Sequence, residues 1–207
     1  NYLLLKGAGY GSAGIIIVRW VEGASDSDDE CYLGYDVNTN GGESAVPEDI
    51  VCTKGSYYDA SSSVLQKTAS KPGYTFVGWN TNKNATAGLS SLTVNRDTIL
   101  YAIFRKTLSA SFIDYSGSNR QTRDVSKIVY NTEMTANVTP PVQSEATGWT
   151  PAGWTKSTAR NAEAENSFSI RGGETYYGLY SKSLTATFDA AGGDYVPSPI
   201  NLTAYAN

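Results

Sequence analysis

The sequence predicts a mostly β chain with small α content, built as tandem units of about 75 residues, and three observations carry that reading. The first is composition. Aromatics make up 12% of the 207 residues, with 15 Tyr against 5 Phe, 20 Gly and a single Met. Ser, Thr and Asn are abundant as well, which suits short strands and many turns. The second is alternation: "KTLSASFIDYSGS" from Lys106 sets Leu108, Ala110 and Phe112 on one face of a strand that runs into a glycine turn. The third is recurrence. "KSLTATFDAAGGD" from Lys182 repeats the block that starts at Lys106, with Leu184, Ala186 and Phe188 in the matching places.

Other blocks keep nearly the same step. "CYLGYDVNTNGGE" from Cys31 presents Leu33, Tyr35 and Val37 before Gly41 and Gly42, one period ahead of the copy from Lys106. "GYTFVGW" ends at Trp79 and "GWTPAGW" at Trp154, and the same interval separates Tyr101 in "TILYAIFRK" from Tyr177 in "TYYGLYSK" to within one position. Blocks recurring in one order at one period describe an array. The first unit is placed at 31–106, the second at 107–182, and 183–207 opens a third, incomplete one. Residues 1–22 are read as the tail strands of an upstream domain, and 23–30 as an acidic linker.

The elements follow in order. "GAGYGSAG", Gly7 to Gly14, spells GxGxxG, with Asp29 further on in the place of an acidic ribose ligand. A dinucleotide loop needs a helix after the glycines to hold the pyrophosphate. Here "IIIVRW" follows, a β-branched run that suits a strand, so two strands joined by a glycine-rich turn are expected. "YGSAGIIIVRW" also resembles the closing strand of glycine-rich extracellular β domains of bacterial surface and phage-tail proteins.

In the first unit a turn centred between Gly41 and Gly42 sets Leu33 opposite Ile50 and Cys31 opposite Cys52. Opposed residues of an antiparallel pair are within disulfide reach, so a Cys31–Cys52 bridge is expected, against two free thiols in an organism with few surface oxidants. Asp59 is placed to cap a short helical turn through "SSSVLQK", with Val64 and Leu65 inward and Pro72 preventing its extension. Trp79 and Trp154 are expected in the core, as the largest side chains of units that are short of core, and Tyr101 and Tyr177 with them. Tyr57, Tyr58 and Tyr130 are the candidate exposed contacts.

"YDVNTNGGE", "KPGYTFVGWNTN" and "VNRDTILYAIF" together resemble the Listeria–Bacteroides repeat, also called the internalin B-type repeat, of bacterial cell-surface proteins. The likeness spans nearly all of the first unit. The second departs from it, with "YSGSN" for the NGG turn and Trp and Pro in "GWTPAGW" where the first has Tyr and Val. The resemblance implies a β-grasp-like unit of four or so strands around a short helix or helical turn, exported and displayed outside the bacterial cell.

Several chemistries are excluded. Without a single His, imidazole-based triads and most hydrolytic zinc sites are gone. Small repeated β units offer no large cleft for a carboxylate pair, so no catalytic residue and no cofactor is assigned. "DSDDE" fails as a calcium loop because Cys31 stands where the sixth-position glycine belongs, so no metal site is assigned either. A net charge of −4 and a pI near 4.9 argue against nucleic acid, and no apolar run is long enough for a membrane span. The sequons at Asn84, Asn137 and Asn201 read as turn-rich sequence.

A non-catalytic stalk or spacer that displays a distal domain is therefore expected. The alternative is an adhesin module that binds host protein or glycan through exposed aromatics and strand edges. Incomplete units at the two ends are expected to pair, within one chain or head to tail between chains.

Overall fold

The computed structural model describes residues 4–7, 16–19, 29–38 and 46–207. Near the start, β1 (Leu4–Gly7) pairs antiparallel with β2 (Ile16–Arg19), the two strands expected on either side of the glycine-rich segment. That turn, the acidic linker up to residue 28 and the Gly41–Gly42 turn lie outside the described residues.

The chain divides into two compact units. One takes the described residues up to Arg105 together with Tyr130–Thr132; the other takes Lys106–Val129 and Glu133–Asn207.

The first unit holds β3 (Glu30–Asp36), β4 (Ile50–Thr53), β5 (Ser56–Asp59), β6 (Thr75–Asn80), β7 (Ser91–Val94) and the opening part of β8 (Thr98–Ser116). Its sheet runs in the order β4, β3, β8, β6. The first strand, β3, lies parallel to the last, with Leu33 beside Thr98 and Tyr35 beside Leu100. The neighbours on either side, β4 and β6, are antiparallel. In the hairpin, Leu33 faces Ile50 and Cys31 faces Cys52, the register that the turn position predicts. β5 and β7 form a separate two-stranded ribbon.

Alternation along β3 sends Cys31, Leu33 and Tyr35 inward to meet Trp79, Val94, Leu100, Ala102 and Phe104. Each large apolar side chain buried there contributes about 1.5–3 kcal/mol. No helix forms among the described residues. Where a helical turn was expected after Asp59, two turns follow one another, closed by Ser62 N–H to Asp59 C=O (3.0 Å) and Gln66 N–H to Ser62 C=O (3.0 Å). Asp59 Oδ1 does accept Ser61 N–H (2.8 Å), but Ser62 Oγ donates back to Asp59 C=O (2.7 Å) and holds the chain in turns. Val64 and Leu65 are nevertheless buried in the core.

The second unit takes the rest of β8, then β9 (Asn119–Tyr130), β10 (Ala136–Asn137), β11 (Thr150–Thr155), β12 (Ser169–Ile170), β13 (Glu174–Ala186) and β14 (Ile200–Ala206). Its plan matches that of the first: β9, β8, β13, β11, with the first and last strands again parallel, Phe112 beside Tyr176. β10 and β12 form the small extra ribbon. The core gathers Leu108, Ala110, Phe112, Val129, Trp154, Ile170 and Tyr176, and Phe112 stacks on Tyr176 with centroids 4.8 Å apart. β14 pairs with the far part of β13, from Tyr180 opposite Ala206 to Ala186 opposite Ile200.

Candidate functional site

Both tryptophans lie in the cores, Trp79 at 1% and Trp154 at 4% exposure, and both are fixed by the same devices. Trp79 meets Tyr35 edge to face at 4.8 Å and donates its indole N–H to Lys67 C=O (2.6 Å). Trp154 meets Phe112 edge to face at 5.0 Å and donates to Pro141 C=O (3.1 Å). Just before each lies a β-bulge, at Phe76/Gly78 and at Pro151/Gly153, whose glycine has positive φ. Each tryptophan then accepts at its own C=O the N–H of a loop that crosses close by, Leu89 (2.8 Å) and Glu165 (2.7 Å). The G–W pair is thus a scaffold element in each unit.

Tyr101 and Tyr177 differ from the expectation of core. Each is half-buried on the side of its strand away from the tryptophan, because its neighbours Leu100 and Ala102, or Tyr176, take the inward places. Instead both line surface clefts. Tyr101 lines one of about 720 Å³ with Ile99, Leu92, Thr81, Arg96 and Asp97. Tyr177 lines one of about 210 Å³ with Ile113, Tyr115, Arg120 and Thr158.

The other tyrosines are spread apart rather than gathered. Tyr57 is 65% exposed, while Tyr58, next along β5, turns to the opposite face and packs half-buried on the first core. Burial raises the Tyr58 hydroxyl's pKa, countered in part by a hydrogen bond with Ser56. Tyr130 is half-buried at the end of β9. The far β13–β14 hairpin exposes Leu184, Ile200 and Leu202.

Cys31 and Cys52 are buried free thiols with their Sγ atoms 3.4 Å apart. Burial first, and then the Cys31 thiol beside it, push Cys52 up to about 12. No cluster of three or more potential metal ligands occurs among the described residues.

Two polar networks escaped the sequence reading. Asp114 is buried in the second unit, bonded to the Arg123 guanidinium and accepting Ser144 N–H (2.8 Å), while Arg123 also donates to Val142 C=O (2.7 Å) and lies over the Trp154 ring. Asn131, buried with φ 54°, exchanges bonds with Phe104 and donates its amide to Lys83 and Ala85 C=O. An inward-facing Asp at the end of an apolar alternation, Leu108, Ala110, Phe112, Asp114, was the available signal for the first network. The second had none.

The architecture defines a β-rich protein in which two compact units share one order of sheet strands. Residues 35–103, within the first unit, match the Listeria-Bacteroides repeat domain. The family occurs in bacterial surface proteins and is typically non-catalytic. Among curated proteins none matches the chain. No helix of the described residues is long and apolar enough to cross a membrane.

Proposed function

We propose that this chain is a non-catalytic spacer from a bacterial cell-surface protein, with β-grasp-like repeats at 31–106 and 107–182 and the opening of a third at 183–207. The observation that carries the reading is one plan used twice. In both units the sheet order is second, first, last, third strand, with a bulge glycine and a buried tryptophan on the third. That order, with parallel first and last strands, is what supports the β-grasp assignment, although turns stand where that fold carries its helix. Stability in such an array comes from each unit's own core and its nearest neighbours, so units can be added without redesign.

Outside the cell the opposed Cys31 and Cys52 thiols lose two electrons and two protons to an extracellular oxidant and form the bridge. Intact mass after air oxidation is then lower by two hydrogens, and an unchanged mass counts against it.

The adhesin reading is favoured by one observation, the solvent-facing ring of Tyr57. Replacing residues 31–182 of the parent protein by an unrelated repeat pair of equal length separates the two. A spacer leaves the parent's surface phenotype intact; loss of host-cell attachment, with display unchanged, would overturn the spacer in favour of the adhesin.

A further inference from the structure

We propose that each unit carries a carbohydrate-binding groove floored by its closing-strand tyrosine, Tyr101 in the first and Tyr177 in the second, and that the sugar taken bears a carboxylate. This goes beyond the spacer reading and does not rest on it.

The recurrence of the tyrosine is not explained by packing. The core of each unit is filled from the other side of the strand, by Leu100 and Ala102 in one and Tyr176 in the other. What the two tyrosines share is a cleft. Around Tyr101 stand Ile99, Thr81 and Arg96; around Tyr177 stand Ile113, Thr158 and Arg120. Each cleft therefore joins an aromatic ring, a branched aliphatic side chain, a hydroxyl and a guanidinium.

That set fits one ligand chemistry. A pyranose has an apolar C–H face, which lies on an aromatic ring, and an edge of hydroxyls, which needs convergent polar groups. The guanidinium adds a planar fork of donors that matches a carboxylate two bonds at a time. Arg96 comes from the turn before β8 and Arg120 from β9, so the two cations reach equivalent tyrosines from different elements. A by-product of repetition would have placed them at equivalent positions.

Both guanidinium groups are exposed, and neither has an ion-pair partner among the described residues. Asp97, the carboxylate beside Arg96, is held by Tyr32 N–H at 2.9 Å. Among the residues that line the second groove there is no Asp or Glu.

The test titrates the isotopically labelled 207-residue chain with trigalacturonic acid, and separately with neutral maltotriose, following amide shifts by NMR. The expected result is saturable shifts at 99–101, 113–120 and 177, with the uronate bound ~tenfold or more tightly than the neutral sugar. Arg96→Gln with Arg120→Gln removes that preference, and Tyr101→Leu with Tyr177→Leu removes binding of both probes. Absence of saturable shifts with either sugar overturns the proposal, as does uronate binding that maps elsewhere. Equal binding of the two sugars overturns the carboxylate assignment. Should the tyrosine variants fail to fold, the arginine variants, altered only at exposed positions, still decide.

Discussion

Gly78 and Gly153 do the same work in the two units, and their backbones show why no other residue serves. Their φ angles are 145° and 109°, and a Cβ would stand 2.9 Å from Gly88 Cα in one case and 2.8 Å from Ala164 Cβ in the other. Gly78→Ala and Gly153→Ala should each cost about 1–3 kcal/mol of unfolding free energy, the usual size of such backbone strain. Denaturant titration of each variant checks this, and unchanged midpoints would refute it. A second prediction concerns alkali. Burial pushes Tyr35 from 10.0 to about 12, and burial with the neighbouring Cys31 pushes Cys52 from 9.0 to about 12. Above the ordinary values the unfolded chain releases protons that the fold retains, so stability is full below about pH 9 and falls as pH rises towards 12. In the reduced protein, Cys52→Ala should flatten that fall; an identical pH profile would show that the thiol contributes nothing. The tryptophans' burial was legible in the sequence because their size leaves a small unit few other ways to fill its core. The side taken by Tyr101 and Tyr177 was not, because recurrence shows that a position matters and not which way it faces.

At the scale of elements, the first hairpin was readable to the residue: the register expected from a turn at Gly41 and Gly42 is the one observed, with the two cysteines opposed. The matching of first strands between units was less so. Sequence sets Tyr35 against Ala110, whereas the structure gives Tyr35 and Phe112 the same place, each beside its unit's tryptophan. The slip, from Ala110 to Phe112, leaves every side chain on its face and so hides from a pattern of alternation. The turn expected after Asp59 does not extend into a helix, for a local reason. So short a segment is marginal by itself, and the Ser62 hydroxyl bonds the backbone C=O of Asp59 in a turn. Tyr130–Thr132, at the end of β9, count with the first unit, and Asn131 is the residue that ties them there. Asn131→Ala strips the buried Phe104 N–H of its side-chain acceptor and two carbonyls of their donor. It should destabilise the first unit by about 2–3 kcal/mol. Thermal unfolding followed at Trp79 measures this, and a shift within error would show the network to be dispensable.

For the whole molecule, the reading rests on repetition rather than on any reactive group. The absence of His and the modest acidity were visible in composition and already set imidazole chemistry and nucleic acid aside. The shared period of the strand, tryptophan and tyrosine blocks is what suggested an array, and the family match at 35–103 agrees with the unit that most resembles the repeat. The cleft beside Tyr177 was beyond reach from sequence, because Arg120 on β9 comes to share it with Tyr177 on β13 only through the pairing of both strands with β8. If the array is a spacer, its length is its function. The direct measurement is the height above the cell wall of an epitope fused after Asn207, imaged on live cells while residues 107–182 are deleted or duplicated. The spacer account predicts a height that falls with deletion and rises with duplication. A height indifferent to the number of repeats would contradict it.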